Sequence, residues 1–115
     1  MSTGSIEQVI AQRRAAIDAT RENIRRLTAT VPMETERADA FRRLMERDAV
    51  TKLDYLQAEG QRIDKAQELA AQKKKLVQDQ AALAEAQQHY LAMVSEFQQN
   101  KQAELSVLET KAASL

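Results

Sequence analysis

The fold is decided by the five residues Arg47-Asp48-Ala49-Val50-Thr51, which interrupt two long helical patterns. Asp48 tolerates turn conformations because its short side chain can bond its own backbone. Thr51 is a good helix N-cap, and Asp54 three residues later adds an acid to the first turn of the next helix. The stretch therefore predicts a turn, across which two helical arms fold back on one another as an antiparallel hairpin.

The first arm, residues 5–47, repeats its apolar residues every seven positions. One row contains Ile10, Ile17, Ile24, Val31, Ala38 and Met45, and its companion row contains Ile6, Leu27 and Phe41. This spacing is typical of a coiled-coil seam, although Arg13 and Thr20 make its middle polar. Ser5 is the predicted N-cap. Pro32 lacks an N–H, so we expect a break or a kink there and a second, roughly collinear helix over residues 34–47.

The second arm, residues 52–115, contains no proline and is predicted to be one helix. One row spaced by seven contains Leu69, Leu76, Leu83, Tyr90 and Phe97, and a second row contains Leu56, Ile63, Ala70, Val77, Ala84, Leu91 and Leu105. We expect the two rows to form a single apolar stripe on a helix on the order of 97 Å long, at 1.5 Å of rise per residue. The predicted fold is therefore all-α, an elongated antiparallel coiled-coil hairpin whose longer second arm has an unpaired far end.

The composition excludes most classes of function. Ala, Glu, Lys, Leu and Arg make up just over half of the 115 residues, which is typical of coiled coils. The chain has no cysteine, a single histidine (His89) and zero formal net charge, which argues against zinc sites, disulfide frameworks and a nucleic-acid-binding face. No catalytic, metal or cofactor constellation can be assembled from these residues. We predict a protein that acts by interaction, with residues 1–4 as a cloning remnant and the whole chain as a piece of a larger protein.

Residues 43–55 (RLMERDAVTKLDY) resemble the hairpin tip of periplasmic adaptors, also called membrane fusion proteins, and most of all the haemolysin-D type of type I secretion. Residues 97–105 (FQQNKQAEL) resemble the stretch that leads back to the body of such adaptors, so the likeness covers residues 37–115. In that family an Arg, a Leu and a Ser near the tip are associated with docking to an outer-membrane channel. Leu44 fits the Leu position and Thr51 the Ser position.

Two positions of this chain depart from that pattern. Ala40 stands where the family has the Arg, which leaves Arg37, Arg42 or Arg43 as its replacement, and Asp48 replaces the tip glycine. The tip residues that the resemblance implies for docking are Arg43, Leu44, Arg47, Asp48, Ala49, Val50 and Thr51.

The resemblance also implies partners and a location. The intact protein would be anchored in the inner membrane, lie in the periplasm and connect an ABC transporter to an outer-membrane channel of the TolC type. Its hairpins would pack side by side, six together, and the transmembrane helix, lipoyl half-motifs and β-barrel-like region of the family would lie outside this chain. The alternative is a free-standing cytoplasmic coiled coil that serves as an oligomerisation or chaperone-like scaffold.

Overall fold

The computed structural model describes residues 2–115, which form two helices: α1, Thr3–Glu46, and α2, Lys52–Ser114. The part of the chain that it describes contains no strand. Five residues connect the helices, at the position where the sequence predicts the turn. The all-α hairpin with a single long helix as its second arm is therefore confirmed.

The chain divides into two compact units. The turn unit, Ala16–Asp79, contains the end of α1, the connecting turn and the first part of α2. Hydrogen bonds across the arms join Thr20 to Asp79, Asn23 to Gln72 and Arg37 to Gln61. Because the residue numbers fall along α2 as they rise along α1, the two arms of this unit are antiparallel.

The terminal unit consists of Met1–Ala15 and Gln80–Leu115. Ile6 and Ala86 are its buried apolar residues. Every residue from position 95 to position 115 is exposed, so the far end of α2 is unpaired, as the sequence predicts.

The predicted break at Pro32 is wrong, because α1 runs through this residue as one continuous helix. A proline inside a helix removes one backbone hydrogen bond and costs about 3 kcal/mol. Leu27 and Ala38 are buried on either side of Pro32, and they lie on the same face of α1 because eleven residues make almost exactly three turns. We infer that packing on both sides holds the segment in helical geometry and offsets this cost.

The predicted N-cap of α1 is also wrong. The helix begins at Thr3, and the backbone N–H of Ser5 donates to the side-chain oxygen of Ser2 at 3.2 Å. This is the bond that an N-cap residue makes to the third residue of its helix, so Ser2 is the cap. Residues 3 and 4 are thus part of α1, and Met1, the first residue of the predicted remnant, lies outside the described residues.

The single apolar stripe predicted for α2 is corrected by the burial pattern. Leu69, Leu76, Leu83 and Tyr90 are half-buried, but every residue of the predicted second row is exposed: Leu56, Ile63, Ala70, Val77, Ala84, Leu91 and Leu105. Neighbouring residues in a helix point about 100° apart, so rows that contain Leu69 and Ala70 cannot face the same partner. The companion positions three residues after the leucine row are small or polar instead and include Ala58, Gln72, Asp79 and Ala86.

Candidate functional site

The turn begins with a C-terminal cap that closes α1. The backbone N–H of Ala49 donates to the carbonyl of Leu44 at 2.8 Å, and that of Asp48 donates to the carbonyl of Met45 at 3.0 Å. These two bonds form a Schellman motif, in which the residue after the helix adopts a left-handed conformation. Asp48 takes that position with a φ of 58°. The prediction that Asp48 can adopt a turn conformation is therefore confirmed.

A reciprocal pair of side-chain bonds starts α2. The N–H of Asp54 donates to the hydroxyl oxygen of Thr51, and the N–H of Thr51 donates to a carboxylate oxygen of Asp54, both at 3.1 Å. This arrangement is a capping box in which aspartate takes the place of the usual glutamate. The predicted N-cap role of Thr51 is confirmed, and both helix ends at the turn are closed by bonds within the turn itself.

The left-handed residue gives a direct test of the turn geometry. Replacing Asp48 with glycine should raise the free energy of unfolding by about 1 kcal/mol, because glycine adopts a positive φ without the steric cost that a side chain imposes. Ala49→Gly is the matched control: its φ is not positive, so glycine there should give no gain. Urea unfolding of both variants measures the difference, and equal effects would contradict the cap assignment.

The candidate docking residues lie together at this turn, and most of them are exposed. Leu44 retains 40% of its accessible surface, and Val50 is the one candidate that is half-buried. The remaining candidates are all exposed: Arg43, Arg47, Asp48, Ala49 and Thr51. Sequence reasoning missed Leu53, whose side chain is 74% exposed in the first turn of α2. Its position two residues after the N-cap could have identified it.

The arginines near the turn differ in what they contact. Arg37 bonds Gln61 across the arms, forms an ion pair with Glu34 at 3.7 Å and lies over the ring of Phe41. Arg42 is paired with Glu46 at 3.5 Å. Within residues 2–115, Arg43 and Arg47 form no ion pair. Of the three arginines that could replace the family's Arg at Ala40, only Arg43 is uncommitted within the hairpin.

Comparison with known families decides what kind of hairpin this is. The family model described as "CyaD, alpha-helical hairpin domain" matches residues 6–114, almost the whole chain. The chain belongs to the CyaD α-helical hairpin family. No curated protein matches the chain. The match begins at residue 6, so the likeness extends further towards the N-terminus than the tip residues alone indicated.

As a member of the CyaD family, this chain is the α-helical hairpin of a type I secretion adaptor. Adaptors of this kind are periplasmic and work together with a transporter and an outer-membrane channel. No helix in the part of the chain that the structure describes is long and apolar enough to cross a membrane. The match favours the adaptor over the free-standing scaffold that the sequence left as an alternative.

The CyaD hairpin has a second exposed apolar surface, on α2 of the turn unit. We call it the outer row, and it consists of Leu56, Ile63, Ala70 and Val77. The 3.6-residue helical repeat places this row well over 90° away from the face that packs on α1. Val77 retains 65% of its accessible surface. α1 therefore cannot cover the outer row within one molecule.

Gly60 lies between Leu56 and Ile63 on that surface. Glycine inside a helix costs about 1 kcal/mol relative to alanine. A Cβ atom added to Gly60 would meet nothing within 4 Å, so packing inside the hairpin does not require the glycine.

Charged groups on α2 form local pairs. Arg62 donates a side-chain hydrogen bond to Glu59, and this bond lowers the pKa of that carboxyl and raises the pKa of the guanidinium. Both groups are therefore charged at neutral pH. The structure brings no group of three or more His, Asp or Glu side chains into a metal-binding arrangement within residues 2–115. His89 is exposed and borders an open groove of the terminal unit, beside Arg13 and Ala86.

Proposed function

We propose that this chain is the hairpin of a haemolysin-D-type adaptor and that its turn docks onto an outer-membrane channel of the TolC type. The intact adaptor is anchored in the inner membrane and links that channel to an ABC transporter, so that an unfolded protein substrate is exported. Its mechanism is contact between surfaces, without catalysis. The observation that supports docking is that the turn exposes apolar and unpaired basic side chains that its own closure does not use.

Closure of the turn depends on the backbone and on two side chains. Backbone N–H groups of residues 48 and 49 satisfy the last carbonyls of α1, and Thr51 and Asp54 satisfy the first amides of α2. The side chains of Arg43 and Arg47 take no part in these bonds. The fold of the turn does not require the exposed side chain of Leu44 or the unpaired side chains of Arg43 and Arg47. Apolar and basic side chains exposed together at one end of a helical hairpin fit a docking surface.

The chemistry of this surface fits the ends of partner helices. The last carbonyl groups of a helix accept no hydrogen bond from within their own helix. The guanidinium group of an arginine can donate several hydrogen bonds to such carbonyls. A leucine adds an apolar anchor at the centre of the contact. We assign to Arg43 the role that the family's Arg has at the position of Ala40, because Arg37 and Arg42 are held by partners within the hairpin.

Side-by-side packing of six hairpins is the second part of the proposal, and exposed apolar residues on both arms support it. The outer row lies on α2, while the exposed Met33 lies on α1, on the side away from the buried Ala38. A contact between α2 of one copy and α1 of the next is heterologous, and such contacts form a ring when the rotation between neighbouring copies closes. Gly60 would let a neighbouring helix approach closely.

A charge in the outer row should disrupt this packing and leave the hairpin folded. Val77→Glu puts the carboxylate on an exposed position, so helical content should stay unchanged. In cells that express the full-length adaptor, chemical cross-linking should then give monomers where the parent gives a ladder of oligomers. Gln78→Glu, an exposed neighbour outside the row, is the control and should keep the ladder. An unchanged ladder for Val77→Glu would contradict the role of the outer row.

Docking is tested by export of the substrate from cells whose full-length adaptor has aspartate at Leu44 or at Thr51. Each change should block export without loss of helix in the isolated hairpin. Normal export by both variants would refute docking through this turn.

A further inference from the structure

A cluster of polar side chains interrupts the seam between the arms of the turn unit. We call it the polar layer, and it consists of Thr20 on α1 with Lys75 and Asp79 on α2. The hydroxyl of Thr20 donates to Oδ2 of Asp79 at 2.8 Å, and Nζ of Lys75 donates to the hydroxyl at 3.2 Å and to Oδ2 at 3.0 Å. Thr20 is only 1% exposed, which makes it the buried polar residue of the described chain. Lys75 and Asp79 thus pair with each other along α2, and the hydroxyl of Thr20 bonds both of them from the other arm.

A second polar contact lies one turn further along the seam. The side-chain amide of Asn23 donates to the side-chain oxygen of Gln72 at 3.3 Å. Ile17 and Leu27, which flank these contacts on α1, are buried. Polar groups therefore occupy seam positions where apolar residues would pack more favourably, since a satisfied polar cluster is often no more stabilising than apolar residues of similar volume.

The apolar residues of the seam do not specify a single alignment of the arms. Ile17, Ile24 and Val31 repeat every seven residues on α1, and Leu69 and Leu76 do so on α2. A shift of one arm by seven residues would place leucine where leucine was before. The turn by itself does not prevent such a shift, because a turn formed three or four residues further along the chain would accommodate the new alignment.

The polar layer does distinguish these alignments. A seven-residue shift in one direction places Asp79 opposite Leu27 and Thr20 opposite Ala86, which separates the buried hydroxyl of Thr20 from both of its partners on α2. Leaving a buried polar group without a hydrogen bond costs more free energy than the same group contributes when it is bonded. A single polar residue in a coiled-coil seam is known to select one register at some expense of stability.

We propose that the polar layer formed by Thr20, Lys75 and Asp79 fixes the register of α1 against α2. The apolar rows hold the arms together, and the polar layer selects which of the seven-residue alignments they adopt. The register in turn decides which residues stand at the turn. This inference does not depend on the proposed docking, because it concerns pairing within one chain.

Engineered disulfides in the full 115-residue chain measure the register, and the absence of native cysteine makes each product unambiguous. Arg37→Cys with Gln61→Cys reports the native alignment, since these residues are bonded across the arms. Arg37→Cys with Glu68→Cys reports the seven-residue shift that would place Thr20 opposite Ala86. The parent chain should form the native disulfide alone.

Thr20→Val combined with Asp79→Leu removes the polar layer and adds apolar contacts. We expect unchanged helical content, an unfolding midpoint that is equal or higher, and a ratio of shifted to native disulfide that rises about tenfold or more. Thr28→Val with Gln78→Leu makes similar changes at exposed positions and should leave the ratio unchanged. If the seam variant forms only the native disulfide, the turn sets the register and the proposal is wrong.

A smaller change guards against loss of folding in the double variant. Thr20→Ser keeps the hydroxyl and should form only the native disulfide, whereas Thr20→Val alone should already raise the shifted products. Equal ratios for serine and valine at this position would overturn the proposal, because the hydroxyl would then have no effect on alignment.

Discussion

Export should fall to background when Leu44 is replaced by aspartate in the full-length adaptor, while the isolated hairpin keeps its helical content. The side chain of Leu44 is partly exposed and the closure of the turn uses only its backbone carbonyl, so the fold tolerates a polar replacement. A negative charge near a helix C-terminus costs about 0.3–1 kcal/mol, too little to unfold the hairpin. An apolar contact with the channel, by contrast, would be lost. Substrate in the medium and circular dichroism of the hairpin measure the two quantities.

Thr51→Asp is the complementary change, because aspartate is as good an N-cap as threonine. If Thr51 only caps α2, export should be normal; if it contacts the channel, export should fail although the hairpin folds. Thr51→Ser keeps the hydroxyl that accepts from the N–H of Asp54 and should retain export. Leu108→Asp places the same charge on an exposed leucine of the terminal unit and serves as the control for charge alone.

The second large effect concerns which apolar residues hold the arms together. Leu27→Ala should lower the free energy of unfolding by about 3 kcal/mol, because Leu27 is 2% exposed and its loss leaves a cavity in a narrow seam. Leucine and alanine have similar helix propensities, so the change reports packing. Urea unfolding followed by circular dichroism gives the value.

Leu56→Ala is the matched control, since the same atoms are removed from a residue that is 50% exposed in the outer row. Its effect on the isolated hairpin should stay within about 0.5 kcal/mol. Equal losses for the two variants would mean that the outer row packs against α1, as the sequence first suggested, and would contradict the seam described above.

The turn could be predicted from the sequence because local bonds decide it. Asp48 and Thr51 belong to residue types that favour these backbone positions whatever surrounds them, and the structure places both as expected. Pro32 shows the opposite case, because its local preference for a break is outweighed by packing of Leu27 and Ala38 on either side. Nothing within a few residues of Pro32 reveals that packing.

The prediction of which residues of α2 pack against α1 was wrong for a different reason. A seven-residue repeat identifies rows of residues on a helix, but it does not say which two rows face the partner helix. The row of Leu56 and Ile63 was chosen because its residues are larger and more apolar than those of the row that does face α1. The observed companion row contains Gln72 and Asp79, whose side chains bond Asn23 and Thr20 on the other arm. Such pairing between distant residues cannot be read from one arm at a time.

Cross-linking from the turn to the channel tests the central claim most directly. The chain has no cysteine, so Ala49→Cys introduces a unique thiol at the exposed turn, to which a photoactivatable cross-linker can be attached in cells that express the full-length adaptor and its channel. Gln78→Cys, an exposed position of the same unit away from the turn, is the control. We predict a cross-linked product with the channel from Ala49→Cys and none from Gln78→Cys. Equal products from both positions, or none from the turn, would contradict docking through the hairpin turn.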